Sequence, residues 1–186
     1  MLNIPFQELN TPRLRLRRLR MADLPHYYPM ASSEAVTRYM LWKPHASMEE
    51  SAASIRKTLA RYETGESLRW AIALADSDEL IGIIDLLGFS DGAKSCSFAY
   101  MLAEEFWNRG YGTEAASAVF SFAFETLGID TITADHFAGN PASGAVMKKL
   151  GMVYLETQAG KYEKNGILHD APLYRITKKE WFSGQR

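Results

Sequence analysis

The sequence predicts an α+β (mixed α/β) fold: one domain, with a central mixed, mostly antiparallel sheet flanked by helices. Three observations carry this. The chain has 186 residues, 47% apolar and 23% charged, with no repeat, low-complexity tract or linker, so it has the material for one core and no visible boundary. Three strand patterns follow one another directly, "RWAIALA" (69–75), "LIGIIDLL" (80–87) and "SCSFAYML" (95–102), which reads as an antiparallel meander. The order then runs strand, helix, strand, helix, strand, so the sheet is mixed and not fully parallel.

The elements justify themselves in order. "RLRLRRLR" (13–20) reads as a strand with Leu14 and Leu16 inward and the arginines exposed. "ADLPHYYPM" opens a short helical or irregular region, and the stretch up to Pro44 is rich in aromatics, with Tyr27, Tyr28, Tyr39 and Trp42. Ser47 and Glu50 then form a capping box. Behind it Met48, Ala52, Ile55, Leu59 and Tyr62 recur at helical spacing, and Gly65 ends the helix. Asp91-Gly92 is a hairpin-type turn between the second and third meander strands. A helix is expected from about 113 to 127, with Ala115, Val119, Phe122, Ala123 and Leu127 on one face and Gly128 closing it. "TITADHF" (131–137) is a strand. Asn140 caps the next helix, Pro141 occupies its first turn, and Gly151 lies past its end. "MVYLET" (152–157), the Asn165-Gly166 turn and "APLYRIT" (171–177) complete the sheet.

Bulk properties exclude several function classes. A net charge of −1 gives no electrostatic case for nucleic acid or membrane. The arginine strand is no exception, because no aromatic interleaves with it for base stacking. The single cysteine, Cys96, rules out an internal disulfide and fits a reducing cytosol, so a cytoplasmic protein is expected. The first residues, with Asn3, Pro5, Gln7 and Glu8, do not read as a secretory leader. No apolar run is long enough to span a bilayer.

The most informative stretch is "WNRGYGTEA" (107–115). It immediately precedes a helix, where unpaired N–H groups and the helix dipole favour an anion. Gly110 and Gly112 would let phosphate oxygens reach the backbone, or merely let the chain turn. Arg109 would add a charge-assisted contact or stay solvated. "GYGTEA" also fits the Gly-x-Gly-x-x-Ala dinucleotide fingerprint, but "AEEFWN" separates the strand from the glycines, and the preceding strands look antiparallel. A P-loop is absent, since no Gly-Lys-Ser/Thr occurs.

"FAYMLAEEFWNRGYGTEA" (98–115) resembles, without a gap, the acyl-CoA-binding segment of the GCN5-related N-acetyltransferase (GNAT) superfamily, in its Rim-type, ribosomal-protein N-acetyltransferase branch. "NPASGAVMKKLGM" (140–152) resembles a second block of that family, and "LNTPRLRLRRLRMADL" and "LYRITKKEW" agree with the branch at either end. The resemblance implies a GNAT-like domain in which two strands splay into a V-shaped slot for acetyl-CoA. The backbone of Tyr100, Met101 and Leu102 would pair with the pantetheine arm, as in strand addition. N–H groups from Asn108, Arg109, Gly110, Tyr111, Gly112 and Thr113 would hold the pyrophosphate, with Asn140 and Ser143 near the pantetheine and sulfur.

The implied reaction is direct attack of an amine on the thioester, with no metal. A backbone N–H near Met101 or Leu102 would stabilise the oxyanion. Ser143 is the candidate to protonate the leaving thiolate, or it fills a small-residue site on its helix. The sequence departs from the wider family in three places. Trp107 stands where the pyrophosphate motif often begins with Gln or Arg. Met147 stands where many members carry an acid tyrosine, and Ser97 where a base glutamate is common. Asp85 and His136 are the remaining base candidates, with Glu104 and Glu105 behind them. Cys96, His136 and Asp135 could be drawn into a nucleophilic set, but a lone strand cysteine reads as a small core residue. A chain N-terminus has a pKa of about 7.7–8.0 and a lysine about 10.4, a gap worth about 3.4 kcal/mol in neutralising the amine. A site without a strong base therefore suits an α-amine. The acceptor is a peptide N-terminus or a small amine such as an antibiotic, polyamine or metabolite, and Tyr39, Met40 and Trp42 are candidates for its pocket. The resemblance allows a homodimer. A non-catalytic acetyl-CoA-binding module and a dinucleotide-binding oxidoreductase are the competing functions.

Overall fold

The computed structural model describes residues 6–64, 68–90, 92 and 94–184. Asn3, Pro5, Gly65 and Asp91, which carried expectations above, lie outside them. Along the chain run β1 (Leu9–Asn10), β2 (Leu14–Arg17), α1 (Leu24–Ser32), α2 (Glu34–Thr37) and α3 (Met48–Thr64). The meander follows as β3 (Leu68–Leu74), β4 (Leu80–Leu87) and β5 (Ser95–Leu102). Then come α4 (Tyr111–Glu125), β6 (Thr131–Asp135), α5 (Pro141–Lys149), β7 (Val153–Lys164), β8 (Ile167–Thr177) and α6 (Lys178–Gly184). The strands form one open sheet in the order β1-β2-β3-β4-β5-β6-β8-β7, antiparallel throughout except for the β5–β6 pair.

The central strands are buried on both faces, which is why β3 and β4 read as nearly continuous apolar runs. Alternate side chains feed two cores. Trp70 and Ile72 join Leu14, Leu16, Phe98 and the inner face of α4, and Trp181 of α6 closes that core against Phe120 and Phe124. Ala71 and Ile83 point the other way, to Tyr27 and Met30 of α1 and Ile55 of α3.

Several elements differ from the sequence expectation, each for a physical reason. Arg17 is 2% exposed, not solvated. Its guanidinium forks onto Asp23 at 2.9 and 2.7 Å and its Nε reaches Asp78 at 2.7 Å, so the buried charge is matched by carboxylates. α4 begins at Tyr111, two residues early, which puts Gly112 inside the first turn. β6 stops at Asp135, short of His136 and Phe137. The last two strands form a hairpin far longer than expected, closed by Asn165 (φ 54°) and Gly166 (φ 77°). α6 was not anticipated, although Thr177 and Glu180 make a reciprocal capping box: Glu180 N–H donates to the Thr177 hydroxyl, and Thr177 N–H to the Glu180 carboxylate.

The feature that positions everything downstream lies between β5 and β6. They pair only at Ser95↔Thr131, Cys96↔Ile132 and Ser97↔Thr133. Beyond that, β5 continues to Leu102 alongside β4 alone, and β6 stays with β8. On the far side of β5, the β3–β4 register jumps from Ile72↔Gly82 to Ala73↔Leu80, leaving Ile81 as a bulge residue. Gly82 sits beside this bulge under the end of β5. A Cβ there would stand 2.4 Å from the Met101 carbonyl oxygen and 2.5 Å from Leu102 Cδ2. Gly82→Ala is therefore expected to lower unfolding free energy by about 2–3 kcal/mol in urea titration. Gly184→Ala, where an added Cβ meets nothing within 4 Å, should stay within about 0.5 kcal/mol of the parent.

Candidate active site

The divergence of β5 from β6 leaves a cleft in mid-sheet, and the backbone register decides which groups face it. Ala103 N–H donates to Ile81 C=O at 2.9 Å, so these two form a hydrogen-bonded antiparallel pair. Such pairs alternate along a ladder. With Met101 opposite Ile83 and Leu102 opposite Gly82, Met101 bonds to β4, while Tyr100 and Leu102 turn their backbone groups to the open edge. This corrects the expectation for Met101, whose N–H is engaged within the sheet. The N–H groups of Tyr100 and Leu102 are the ones that face the open edge. The Leu102 carbonyl accepts from Trp107 Nε1 at 2.8 Å, so the tryptophan that replaces the usual Gln or Arg ties the loop back to the strand end.

Two cavities open onto the cleft, of about 640 and about 650 Å³, both in the range of small-molecule sites. The first is walled by Leu102, Asn108, Gly110, Tyr111, Gly112 and Thr113. The second lies toward α3 and is walled by Trp42, Arg69, Asp85, His136, Met147 and Tyr162, among others. Tyr39, Met40, Tyr100, Met101, Asn140 and Ser143 line both and mark where they meet.

The glycine loop owes its shape to two left-handed residues, Asn108 (φ 58°) and Gly110 (φ 82°). The first α4 hydrogen bond runs from Glu114 N–H to Gly110 C=O. The N–H groups of Tyr111, Gly112 and Thr113 precede it and stand at the mouth of the first cavity. Gly112 is bare for a second reason: a Cβ would lie 3.1 Å from the Tyr100 ring, so the glycine seats the first turn of α4 on β5. The loop is braced from outside by residues that went unread in the sequence. Glu114 accepts from the Thr11 hydroxyl at 2.6 Å and from Arg13 Nε at 2.6 Å. Arg13 also donates to the Arg109 carbonyl at 3.0 Å and lies over the Tyr111 ring. Burial opposes the Glu114 charge, but these hydrogen bonds outweigh it and hold the carboxyl below its ordinary range. The Arg109 side chain is turned over Phe106 and lies outside the wall of the first cavity.

On α5, Asn140 caps the helix by accepting from Ser143 N–H at 3.3 Å, as its position predicts. This sets Ser143 at the junction of the cavities, against Tyr100. Burial pushes the Tyr100 phenol up, with its hydrogen bond to Ser143 pulling the other way, so the phenol is protonated at neutral pH.

The base candidates differ in how far they are engaged. Asp85 lines the second cavity but forks onto Arg69 at 2.7 and 3.0 Å, and Arg69 also holds the Thr58 hydroxyl. His136 lies 2.7 Å from the Phe137 carbonyl through Nδ1, which must carry the proton because a carbonyl only accepts. Its Nε2 is buried without a hydrogen-bond partner, 2.8 Å from where a Gly144 Cβ would stand. Glu104 lines the first cavity and Glu105 lines neither. Ser97 bonds to Thr133, and Met147 is buried in the second wall. Asp135 is held by Lys161 and the Tyr162 hydroxyl. Cys96 is buried, and burial pushes its thiol up to about 12, so Cys96, His136 and Asp135 do not make a nucleophilic set. Among the described residues no group of three or more His, Cys, Asp or Glu could hold a metal ion.

Residues 13–153 match the model of the acetyltransferase (GNAT) domain family. The chain is 30% identical over 173 residues to the uncharacterized N-acetyltransferase YoaA of Bacillus subtilis (strain 168), covering 93% of this chain and 98% of that one. It is 23% identical over 196 residues to the [ribosomal protein uS5]-alanine N-acetyltransferase of Escherichia coli (strain K12), covering 98% and 97%. In fold it matches the spermidine N-acetyltransferase of Vibrio cholerae in complex with CoA and spermine, with a TM-score of 0.79 at 19% identity over 92% of this chain and 99% of that one. A parted strand pair, a bare-backboned helix mouth beside it and a family model that spans both identify the chain as a member of the GNAT family of acetyl-CoA-dependent N-acetyltransferases.

Proposed function

We propose that this enzyme acetylates a primary amine of low pKa, a peptide N-terminus in the first place. The observation that carries this is the meeting of two cavities at Tyr100, Asn140 and Ser143. One has a helix mouth for a pyrophosphate, and in the other the carboxylates Asp85 and Asp135 are already held by Arg69, Lys161 and Tyr162, while the unpartnered His136 Nε2 is buried. Acetyl-CoA supplies an activated thioester when bound. The outward backbone groups of Tyr100 and Leu102 suit the pantetheine arm as an added strand. The N–H groups of Tyr111, Gly112 and Thr113, with Asn108 and Gly110 shaping the loop, suit the pyrophosphate. A Leu102 or Tyr100 N–H faces the position where a carbonyl oxygen gains charge. Ser143 gives its proton to the departing sulfur, the protonated Tyr100 phenol behind it replaces that proton, and the proton the amine nitrogen loses as the amide forms restores the phenol. This gives Tyr100 part of the acid role that other members assign to a tyrosine at the position of Met147.

The engaged carboxylates favour an α-amine. Asp85 is tied to Arg69, and Asp135 to Lys161 and Tyr162. A polyamine presents several cations and needs unpaired acids to meet them, and these two are matched internally. A lysine side chain needs a stronger base than the second cavity supplies. The likeness to a ribosomal-protein enzyme of the Rim-type branch agrees with this acceptor class.

Two measurements test the reading. Free-CoA release is followed with an alanine-initiated hexapeptide, the same peptide N-blocked and carrying one lysine, and spermidine. The free N-terminus should give kcat/KM at least about tenfold above the other two, as the pKa gap directs. Preference for the lysine or for spermidine would reverse the assignment, and silence toward all three with retained acetyl-CoA binding would favour a binding module. Ser143→Ala should lower kcat by about 100-fold while leaving acetyl-CoA affinity by calorimetry within about threefold. Unchanged kcat would return Ser143 to a packing role.

A further inference from the structure

Lys164 is the last residue of β7, set at the tip of the long hairpin by the left-handed Asn165 and Gly166. Its ammonium reaches three backbone carbonyls far away in sequence: Thr37 at 2.7 Å, Met40 at 2.6 Å and Arg38 at 3.2 Å. These belong to the end of α2 and the turn after it. α2 spans only Glu34–Thr37, so its C-terminal carbonyls have no helix left to bond them. Three donors meet three acceptors at a helix C-terminus, where a cation is also favoured by the dipole. Burial works against the charge and lowers the Lys164 pKa.

The segment so held is the wall common to both cavities, since Tyr39 and Met40 line each. Thr37 is buried and Tyr39 and Met40 are half-buried, but the chain around them is exposed. Arg38, Lys43 and Pro44 are exposed, and Leu41 is 62% exposed. Its other fixings include bonds from the Thr37 N–H and hydroxyl to the Ser33 carbonyl, from Met40 N–H to Thr37 and from His45 N–H to Ala31. The hairpin end is itself anchored to β6, on its own side of the cleft. Lys161 and the Tyr162 hydroxyl bind Asp135 at the end of β6, and the Tyr162 ring stacks on Phe137 at 4.8 Å. Phe137 in turn stands 6.1 Å from Tyr39.

We propose that Lys164 is a positioning residue for acceptor binding: it fastens the Thr37–Met40 turn to the hairpin and so fixes the wall against which the acceptor amine is presented. A surface cap would matter only to stability. Lys164 instead joins two chain segments on opposite sides of the divergent strands, and its loss frees Tyr39 and Met40 while Tyr100 and Ser143 stay in place. This builds on the acceptor reading above, and its test separates the two.

Lys164→Met and Lys164→Arg are compared with the parent as full chains. Amide hydrogen exchange is read without any ligand. In the methionine variant the Met40 amide should exchange at least about tenfold faster, with core amides of β3 and β4 unchanged. The arginine variant, which still donates, should recover most of that protection. With the alanine-initiated hexapeptide as acceptor, Lys164→Met should raise the peptide KM about tenfold and leave kcat within about twofold. Unchanged exchange at Met40 would overturn the proposal. So would a loss of kcat matching the change in KM together with faster exchange throughout the core, which is general destabilisation. If the parent does not acetylate the peptide, the acceptor reading fails, while Met40 exchange still decides whether Lys164 holds this wall.

Discussion

The constraint on which the structure rests is that β5 has a sheet partner on only one side over its second half. An unpaired strand edge is normally a liability, because buried N–H and C=O groups without partners cost free energy. Here the open edge lies in mid-sheet and cannot close. β6 is held along its length by β8, and β5 by a regular ladder to β4 whose close approach at Gly82 leaves no room for a Cβ. The cleft is therefore a standing gap in the hydrogen-bond ladder. A ligand that offers an amide-bearing arm completes the sheet, so binding and sheet formation draw on the same interactions.

Around that gap the charged groups are already matched. Arg69 holds Asp85, Lys161 and Tyr162 hold Asp135, and Arg13 and Thr11 hold Glu114. The polar groups left unmatched are backbone N–H groups, the buried His136 Nε2 and the hydroxyls of Ser143 and Tyr100, which bond to each other. Their positions come from secondary structure: the start of α4, the cap of α5 and the edge of β5. Such groups need little reorganisation when charge develops, which is the property electrostatic stabilisation requires.

Much of this was legible in the sequence wherever the signal was local. The meander, α3 and α5 were found because apolar period, caps and glycines lie within a few residues of one another. The glycine loop was found for the same reason, and the family blocks supplied the cleft. The rest depended on distance or register. Arg17 read as exposed by alternation because the strand pattern does not show that the chain turns Asp23 back onto it and brings in Asp78 from 61 residues away. Choosing Leu102 and Tyr100 over Met101 needs the ladder phase, which no residue type encodes. Lys164 had no signature at all, since its partners are carbonyls that every residue carries. The capping box of Thr177 and Glu180 was written plainly and simply not used.

Cys96 sits on the paired half of β5, in the core and just before the strands part. With its thiol pushed up to about 12, about one molecule in 10⁵ carries a thiolate at pH 7. The family's reaction releases a coenzyme with a free sulfhydryl into the neighbouring cleft. An accessible, ionised cysteine there would trade disulfides with oxidised coenzyme and close the enzyme under oxidative stress. By keeping its one thiol buried and protonated, this chain presents no reactive cysteine at that position to the coenzyme it releases.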